Sequence, residues 1–128
     1  MRVAQDITDL IGGTPMLRLC RLYDDAQGAV YAKLENFNPH SNKDRSALYM
    51  IRAAMAEGKI TSEIEVVEAS SGNTAMALAA LGTTLGFAVR IFMCEVQSSE
   101  RQRALVALGA KVVLTPAKEY TRGARDRA

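Results

Sequence analysis

A lysine stands where a helix is predicted to begin. Residues 38–45 read NPHSNKDR, and an apolar helical pattern follows them directly. Helix starts normally attract acidic side chains, because their unpaired N–H groups make that end partly positive. The helix end and any burial disfavour the charged form of Lys43, and the neutral amine is the form that makes a Schiff base. Lys43 is therefore a candidate nucleophile. The alternative is an ordinary solvated lysine flanked by Asp44 and Arg45.

A second polar turn precedes another predicted helix. Residues 68–74 read EASSGNT and lie between an apolar strand pattern and an apolar helix pattern. Such a turn presents unpaired N–H groups and hydroxyls at a helix start, which suits a carboxylate or a phosphate. It also follows the carboxyl end of a strand in a predicted parallel sheet, where ligands tend to bind. The alternative is a helix cap rich in serine and asparagine.

The two turns say more together than either does alone. A reactive amine at one helix start and an anion-binding turn at another suit an amino-acid substrate. Its carboxylate would be held while its amine meets a carbonyl cofactor.

Apolar periodicity predicts the elements that position these turns. Strands alternate with helices through short links, which is typical of a parallel sheet flanked by helices in an α/β fold. The strands are predicted at 64–68, 88–93 and 111–114, and the helices at 42–57, 73–85 and 99–108. The helix at 73–85 is apolar almost all round, which predicts burial between layers. Ser98 is the predicted N-cap of the helix at 99–108, and the predicted helix ends are Gly58, Gly86 and Gly109.

The two ends of the chain are less regular. Short strands are predicted at 14–20 and 29–35, joined by a polar connection at 24–28. After Pro116 the pattern indicates the beginning of a helix with a polar face.

Composition excludes several classes of function. The chain has 128 residues, of which 48% are hydrophobic and 23% charged, with a net charge of +2. Such a balance predicts a single soluble domain and gives no reason to expect nucleic acid or an anionic membrane as partner. Cys20, Cys94 and the single histidine, His40, lack the spacing of a metal site. No signal core or membrane-spanning stretch is evident, so we expect a cytoplasmic protein with reduced thiols.

Several motifs then match one family in order and spacing. They are IGGTP at 11–15, KLE at 33–35, NP at 38–39, SNKDRSA at 41–47, EASSGNT at 68–74, SSER at 98–101 and LGA at 108–110. The combination resembles the pyridoxal-phosphate-dependent cysteine synthase and cystathionine β-synthase family. This resemblance implies a tryptophan-synthase β-like fold, in which helices flank a parallel sheet in three layers.

The resemblance also implies roles for the residues of the two turns. Lys43 would form the Schiff base with pyridoxal 5'-phosphate and later move the α-proton of the substrate. Asn73 would hydrogen-bond the ring hydroxyl oxygen of the cofactor. The residues that would hold the substrate carboxylate are Ser70, Ser71, Gly72 and Thr74.

The implied reaction is β-replacement, in which sulfide displaces the activated oxygen of a serine such as O-acetylserine and gives cysteine. A serine/threonine dehydratase and a cystathionine-type β-synthase are the alternatives within the enzyme class. The alternative outside it is a non-catalytic remnant that binds a small anion or a partner protein.

Family members are well over twice this length, so we expect the chain to match only the N-terminal portion. The glycine- and threonine-rich phosphate loop and the residue at the pyridine nitrogen have no counterpart here. Residues 1–40 would supply strands that pair with a second domain, and residues 41–128 would form the small domain. Because exposed strand edges invite pairing, we expect a homo-oligomer or a complementing C-terminal fragment.

Overall fold

Two separate sheets organise the structure, a computed structural model that describes residues 3–21 and 28–128. The strands of the antiparallel sheet are β1 (Met16–Arg18) and β2 (Tyr31–Lys33). The strands of the parallel sheet are β3 (Glu65–Ala69), β4 (Ala88–Cys94) and β5 (Lys111–Thr115), with β4 in the centre. The helices are α1 (Asp44–Ala56), α2 (Asn73–Leu85), α3 (Ser99–Ala107) and α4 (Tyr120–Arg127). Short 3-10 helices lie at Ile7–Leu10, Glu35–Phe37 and Ala117–Glu119.

The parallel sheet is covered on both faces. Val89, Ile91 and Met93 of β4 join the hydrophobic core that α1, α2 and α3 build on one face. Side chains alternate along a strand, and the intervening Phe92 and Cys94 line a narrow space together with α4. The predicted α/β fold with three layers is therefore confirmed.

Helix α2 is the most buried helix of the core. Its bounds match the prediction, and its buried residues include Ala75 and Leu81. Gly82 allows close contact with the sheet, because a Cβ built there would lie 2.5 Å from Val89 Cγ2 and 2.9 Å from the Phe87 carbonyl oxygen. Gly86 ends the helix in the left-handed conformation at φ 82° and donates its N–H to the Gly82 carbonyl oxygen.

Other predicted boundaries are confirmed to within a few residues. Ser98 caps α3 by accepting the Arg101 N–H at 3.3 Å, and Gly109 follows that helix with φ 87°. Helix α1 begins at Asp44 rather than at residue 42. The helix predicted after Pro116 is present as α4, which a 3-10 turn precedes.

The antiparallel sheet is a narrow ribbon with little burial on either face. Met16 is 61% exposed, Leu17 52% and Tyr31 53%. The strands are shorter than predicted: the paired residues run from Met16 opposite Lys33 to Arg18 opposite Tyr31, with one further backbone hydrogen bond beyond each end. Of the polar connection predicted at 24–28, all but Gly28 lies outside the described residues.

The backbone of Tyr120 has a conformation that is strained for a residue with a side chain. Its φ is 45° and its ψ is −141° at the junction between the last 3-10 helix and α4, and the side chain is exposed. An L side chain in this region costs roughly 1–3 kcal/mol, whereas glycine adopts it freely.

We predict that Tyr120→Gly raises the free energy of unfolding by about 1 kcal/mol, since relief of strain exceeds the entropy cost of glycine. Urea denaturation followed by circular dichroism measures the change. Tyr120→Ala is the matched control, because it removes the ring and keeps the strained Cβ. Equal stability of the two variants would contradict the strain.

Candidate active site

Lys43 occupies the N-cap position of α1. Its φ of −97° and ψ of −12° already approach helical values, and its N–H donates to Ser41 Oγ at 3.0 Å. The side chain is exposed, and its ammonium group makes no hydrogen bond or ion pair within the described part of the chain. Of the two effects expected to act on the Lys43 amine, burial is therefore absent. Its position at a helix start agrees with the prediction.

The acidic residue that a helix start attracts is Asp44, directly after the lysine. Its side chain is 1% exposed. Oδ2 accepts the His40 N–H at 2.7 Å, and Oδ1 lies 2.9 Å from Ser41 Oγ, whose hydroxyl donates to it. Asp44 is the first residue of α1, and an acidic residue in the first turn of a predicted helix is a signal from which this role could have been predicted. Asp44 thus complements the positive end of the helix, and Lys43 does not.

The start of α2 adjoins the start of α1. Asn73 Nδ2 donates to Asn42 Oδ1 at 2.9 Å, and the Asn73 carbonyl oxygen lies 3.3 Å from Ser41 Oγ. The predicted site residues on the two turns therefore lie at two adjoining helix starts. Their roles stay predictions.

The turn before α2 leaves donors available. Gly72 is the N-cap, with φ −117° and ψ −151°, and no side chain caps the helix. The N–H groups of Asn73 and Thr74 have no acceptor among the residues that the structure describes. Unpaired N–H groups at a helix start attract anions.

Two contacts hold the shape of this turn. The Gly72 N–H donates to Ser70 Oγ at 3.3 Å. Arg101 Nη1 of α3 donates to the Ser71 carbonyl oxygen at 3.4 Å. Arg101 belongs to the SSER motif, but its contact with this turn was not predicted from the sequence.

The sequence did not predict a cluster of polar side chains at the first turn of α1. The Glu35 cluster consists of Gly12, Thr14, Glu35, Asn38 and Arg45. Arg45 donates to both Glu35 oxygens at 2.8 Å, and Thr14 Oγ1 donates to Glu35 Oε1 at 2.6 Å. The Gly12 N–H donates to Asn38 Oδ1 at 2.8 Å. The cluster therefore ties residues 12–14 and 35–38 to the first turn of α1.

The charge on Glu35 is stabilised within this cluster. The hydrogen bonds from Arg45, and after them the one from Thr14, lower the pKa of Glu35 to about 2 from 4.5. A depressed carboxyl pKa contributes stability that is present above the unfolded-state value and lost as the pH falls through the folded value.

We predict that the free energy of unfolding falls between pH 4.5 and pH 2, because Glu35 gains a proton more readily in the unfolded chain. Glu35→Gln should show a shallower fall over the same range, since it carries no titrating group at this position. Urea denaturation at intervals of pH measures both. Parallel curves for the two proteins would contradict the role of Glu35.

Residues 3–21 and 28–128 contain no group of three or more His, Cys, Asp or Glu side chains placed to hold a metal ion. No helix in that part of the chain has the length and apolar character needed to cross a bilayer.

Comparison with known families decides the relationship. The model of the family described as "Pyridoxal-phosphate dependent enzyme" matches residues 7–128. The chain belongs to this family. The resemblance carried by the two turns is thereby confirmed.

Relatives within the pyridoxal-phosphate dependent enzymes give more detail. A cysteine synthase of Staphylococcus aureus (strain N315) is 44% identical over 124 residues, which are 96% of this chain and 40% of that protein. The crystal structure of a cysteine synthase from Entamoeba histolytica superposes with a TM-score of 0.89 at 34% identity, over 98% of this chain and 39% of the other. An O-acetylserine-dependent cystathionine β-synthase from Helicobacter pylori gives 0.85 at 35% identity, over 99% and 42%. The chain thus spans about two fifths of the length of these relatives.

Proposed function

We propose that the chain carries the lysine and the substrate-carboxylate turn of a cysteine-synthase-like enzyme. The observation that supports this most is that the start of α1, which carries Lys43, adjoins the start of α2 and its turn through the contacts of Ser41 and Asn42 with Asn73. The reaction is β-replacement on an O-activated serine with sulfide to give cysteine. The similarity to proteins named cysteine synthase supports this choice of chemistry.

The residues of this chain suit two groups of pyridoxal 5'-phosphate, the aldehyde and the ring hydroxyl oxygen. An exposed amine without a partner in the described chain is what the cofactor aldehyde requires, and Lys43 provides it. Asn73 Nδ2 donates one of its two N–H groups to Asn42, so its second N–H can donate to the ring hydroxyl oxygen. The glycine- and threonine-rich phosphate loop of the family has no counterpart in these 128 residues, so this chain alone would hold the cofactor weakly.

Each residue of the site then has a defined task. The bound cofactor supplies the electron sink that stabilises negative charge at the substrate α-carbon. Lys43 holds the cofactor through Nζ and moves the α-proton with the same atom. The N–H groups at the start of α2 and the side chains of Ser70, Ser71 and Thr74 orient the substrate carboxylate, with Gly72 giving the turn its shape.

We predict that borohydride reduction in the presence of pyridoxal phosphate fixes the cofactor on Lys43. Intact mass should show one adduct, and peptide mapping should place it on this residue, because its amine is exposed at the site. Lys43→Ala should lose that adduct.

Lys118→Ala is the matched control, since Lys118 is an exposed lysine remote from both turns in sequence. It should retain the adduct in full. Adducts spread evenly over the surface lysines, or equal labelling of both variants, would contradict the proposed role of Lys43.

The β1–β2 ribbon has exposed apolar side chains, and its two strands pair only with each other in the described structure. Its apolar side chains Met16, Leu17 and Tyr31 are more than half exposed. We propose that residues 1–40 pair with strands of a second domain, while residues 41–128 form the small domain. A C-terminal portion of the family fold, or another copy of the chain in a homo-oligomer, would supply that pairing.

We predict little or no cysteine from O-acetylserine and sulfide with the purified chain alone, because phosphate contacts are missing. Co-expression with the part of the Staphylococcus aureus cysteine synthase that this chain does not match should restore cysteine formation. The same mixture with Lys43→Ala is the control. Robust turnover by the chain alone would contradict the incomplete pocket, and failure of every mixture would favour a non-catalytic binding protein.

The same mixture distinguishes the alternatives within the enzyme class. Homocysteine offered in place of sulfide tests the cystathionine-type reaction, and serine without a nucleophile tests a dehydratase. Preference for either over sulfide would replace the cysteine synthase proposal.

A further inference from the structure

One oxygen atom joins the two helix starts. Ser41 Oγ lies 3.0 Å from the Lys43 nitrogen, 2.9 Å from Asp44 Oδ1 and 3.3 Å from the Asn73 carbonyl oxygen. Ser41 is 8% exposed and Asp44 is 1% exposed, so both groups are largely removed from water. Nothing in the proposed chemistry uses either side chain.

The Ser41 hydroxyl has a single proton to donate. A serine hydroxyl donates once and accepts through its lone pairs. The Asp44 carboxylate is the nearer acceptor at 2.9 Å and is charged, so it forms the stronger bond, and the Asn73 carbonyl oxygen at 3.3 Å is the weaker second acceptor that shares the same proton. Acceptance of the proton by Asp44 turns a lone pair of Ser41 toward the Lys43 N–H, which is the direction that the 3.0 Å contact requires.

The other bonds of Lys43 hold it only to its own helix. Its carbonyl oxygen accepts the Ala47 N–H at 2.9 Å and the Ser46 hydroxyl at 3.0 Å. Ser41 is different, because the same oxygen also touches the backbone of Asn73. Removing it would leave Lys43 on α1 without this buried link to α2.

We propose that Ser41 is a positioning residue that sets the Lys43 backbone against the start of α2, and that Asp44 orients its hydroxyl. The proposal rests on the proposed function in one respect, namely that Lys43 is the amine that reacts. The hydrogen bonds themselves are independent of that chemistry.

The test compares three substitutions in the full chain. Ser41→Ala removes the oxygen, and Ser41→Thr keeps a hydroxyl at the same place. Ser46→Ala is the matched control, because it removes another serine bond to Lys43 that does not reach α2. Circular dichroism and thermal denaturation first establish that each variant is folded.

The first measurement is site selectivity. Each protein is reduced with borohydride and pyridoxal phosphate, and peptide mapping gives the ratio of the adduct on Lys43 to that on Lys118. Ser41→Ala should lower this ratio by about tenfold, the effect of one lost buried hydrogen bond. Ser41→Thr should restore most of it, and Ser46→Ala should leave it unchanged. A wild-type ratio in Ser41→Ala would overturn the proposal.

The second measurement needs no cofactor. Hydrogen exchange should show a Lys43 amide that is protected in the wild type and exchanges about tenfold faster in Ser41→Ala, since Ser41 Oγ is its acceptor. Unchanged exchange would overturn the proposal. If the wild type labels Lys43 no more than Lys118, the proposed function fails, and the exchange result alone decides the positioning role.

A second variant covers the case in which Ser41→Ala does not fold. Asp44→Asn keeps the shape of the side chain, but its amide group must face either the His40 N–H or the Ser41 oxygen. Either arrangement disturbs the present set of bonds, so the Lys43 to Lys118 ratio should fall about threefold. A ratio equal to that of the wild type would contradict the part assigned to Asp44.

Discussion

The structure depends on the packing of α1 against α2 on one face of the parallel sheet. Ala47, Leu48 and Ile51 of α1 lie in the same hydrophobic core as α2 and the inward residues of β4. Because α2 is apolar almost all round and Gly82 brings it close to β4, the helix packs directly against the sheet. Apolar burial therefore brings two polar helix starts together, and hydrogen bonds then set their fine alignment.

Charge is divided between neighbouring residues at the start of α1. Asp44 is buried in the first turn of α1, where its charge complements the positive helix end, and it accepts the His40 N–H and the Ser41 hydroxyl. Lys43 is therefore not needed to stabilise the helix end, and its side chain is exposed. The lysine at this helix start is explained by the acidic residue after it, which supplies the negative charge that a helix start favours.

Periodicity predicted the elements well where one signal dominated. The bounds of α2 followed from an apolar run that Gly86 ends, and the cap of α3 followed from Ser98. The Glu35 cluster was missed, because the bonds of Arg45, Thr14 and Gly12 within it join residues 10 to 31 positions apart and periodicity describes only local spacing. The strands of the ribbon were drawn too long, since apolar residues continue along the chain after strand pairing has ended.

The most direct test of the account is a crystal structure of the chain after reduction with borohydride in the presence of pyridoxal phosphate. We expect density continuous from Lys43 Nζ, with the ring next to Asn73 and the turn at 70–74. Density joined to another lysine, or a ring directed away from the start of α2, would contradict it.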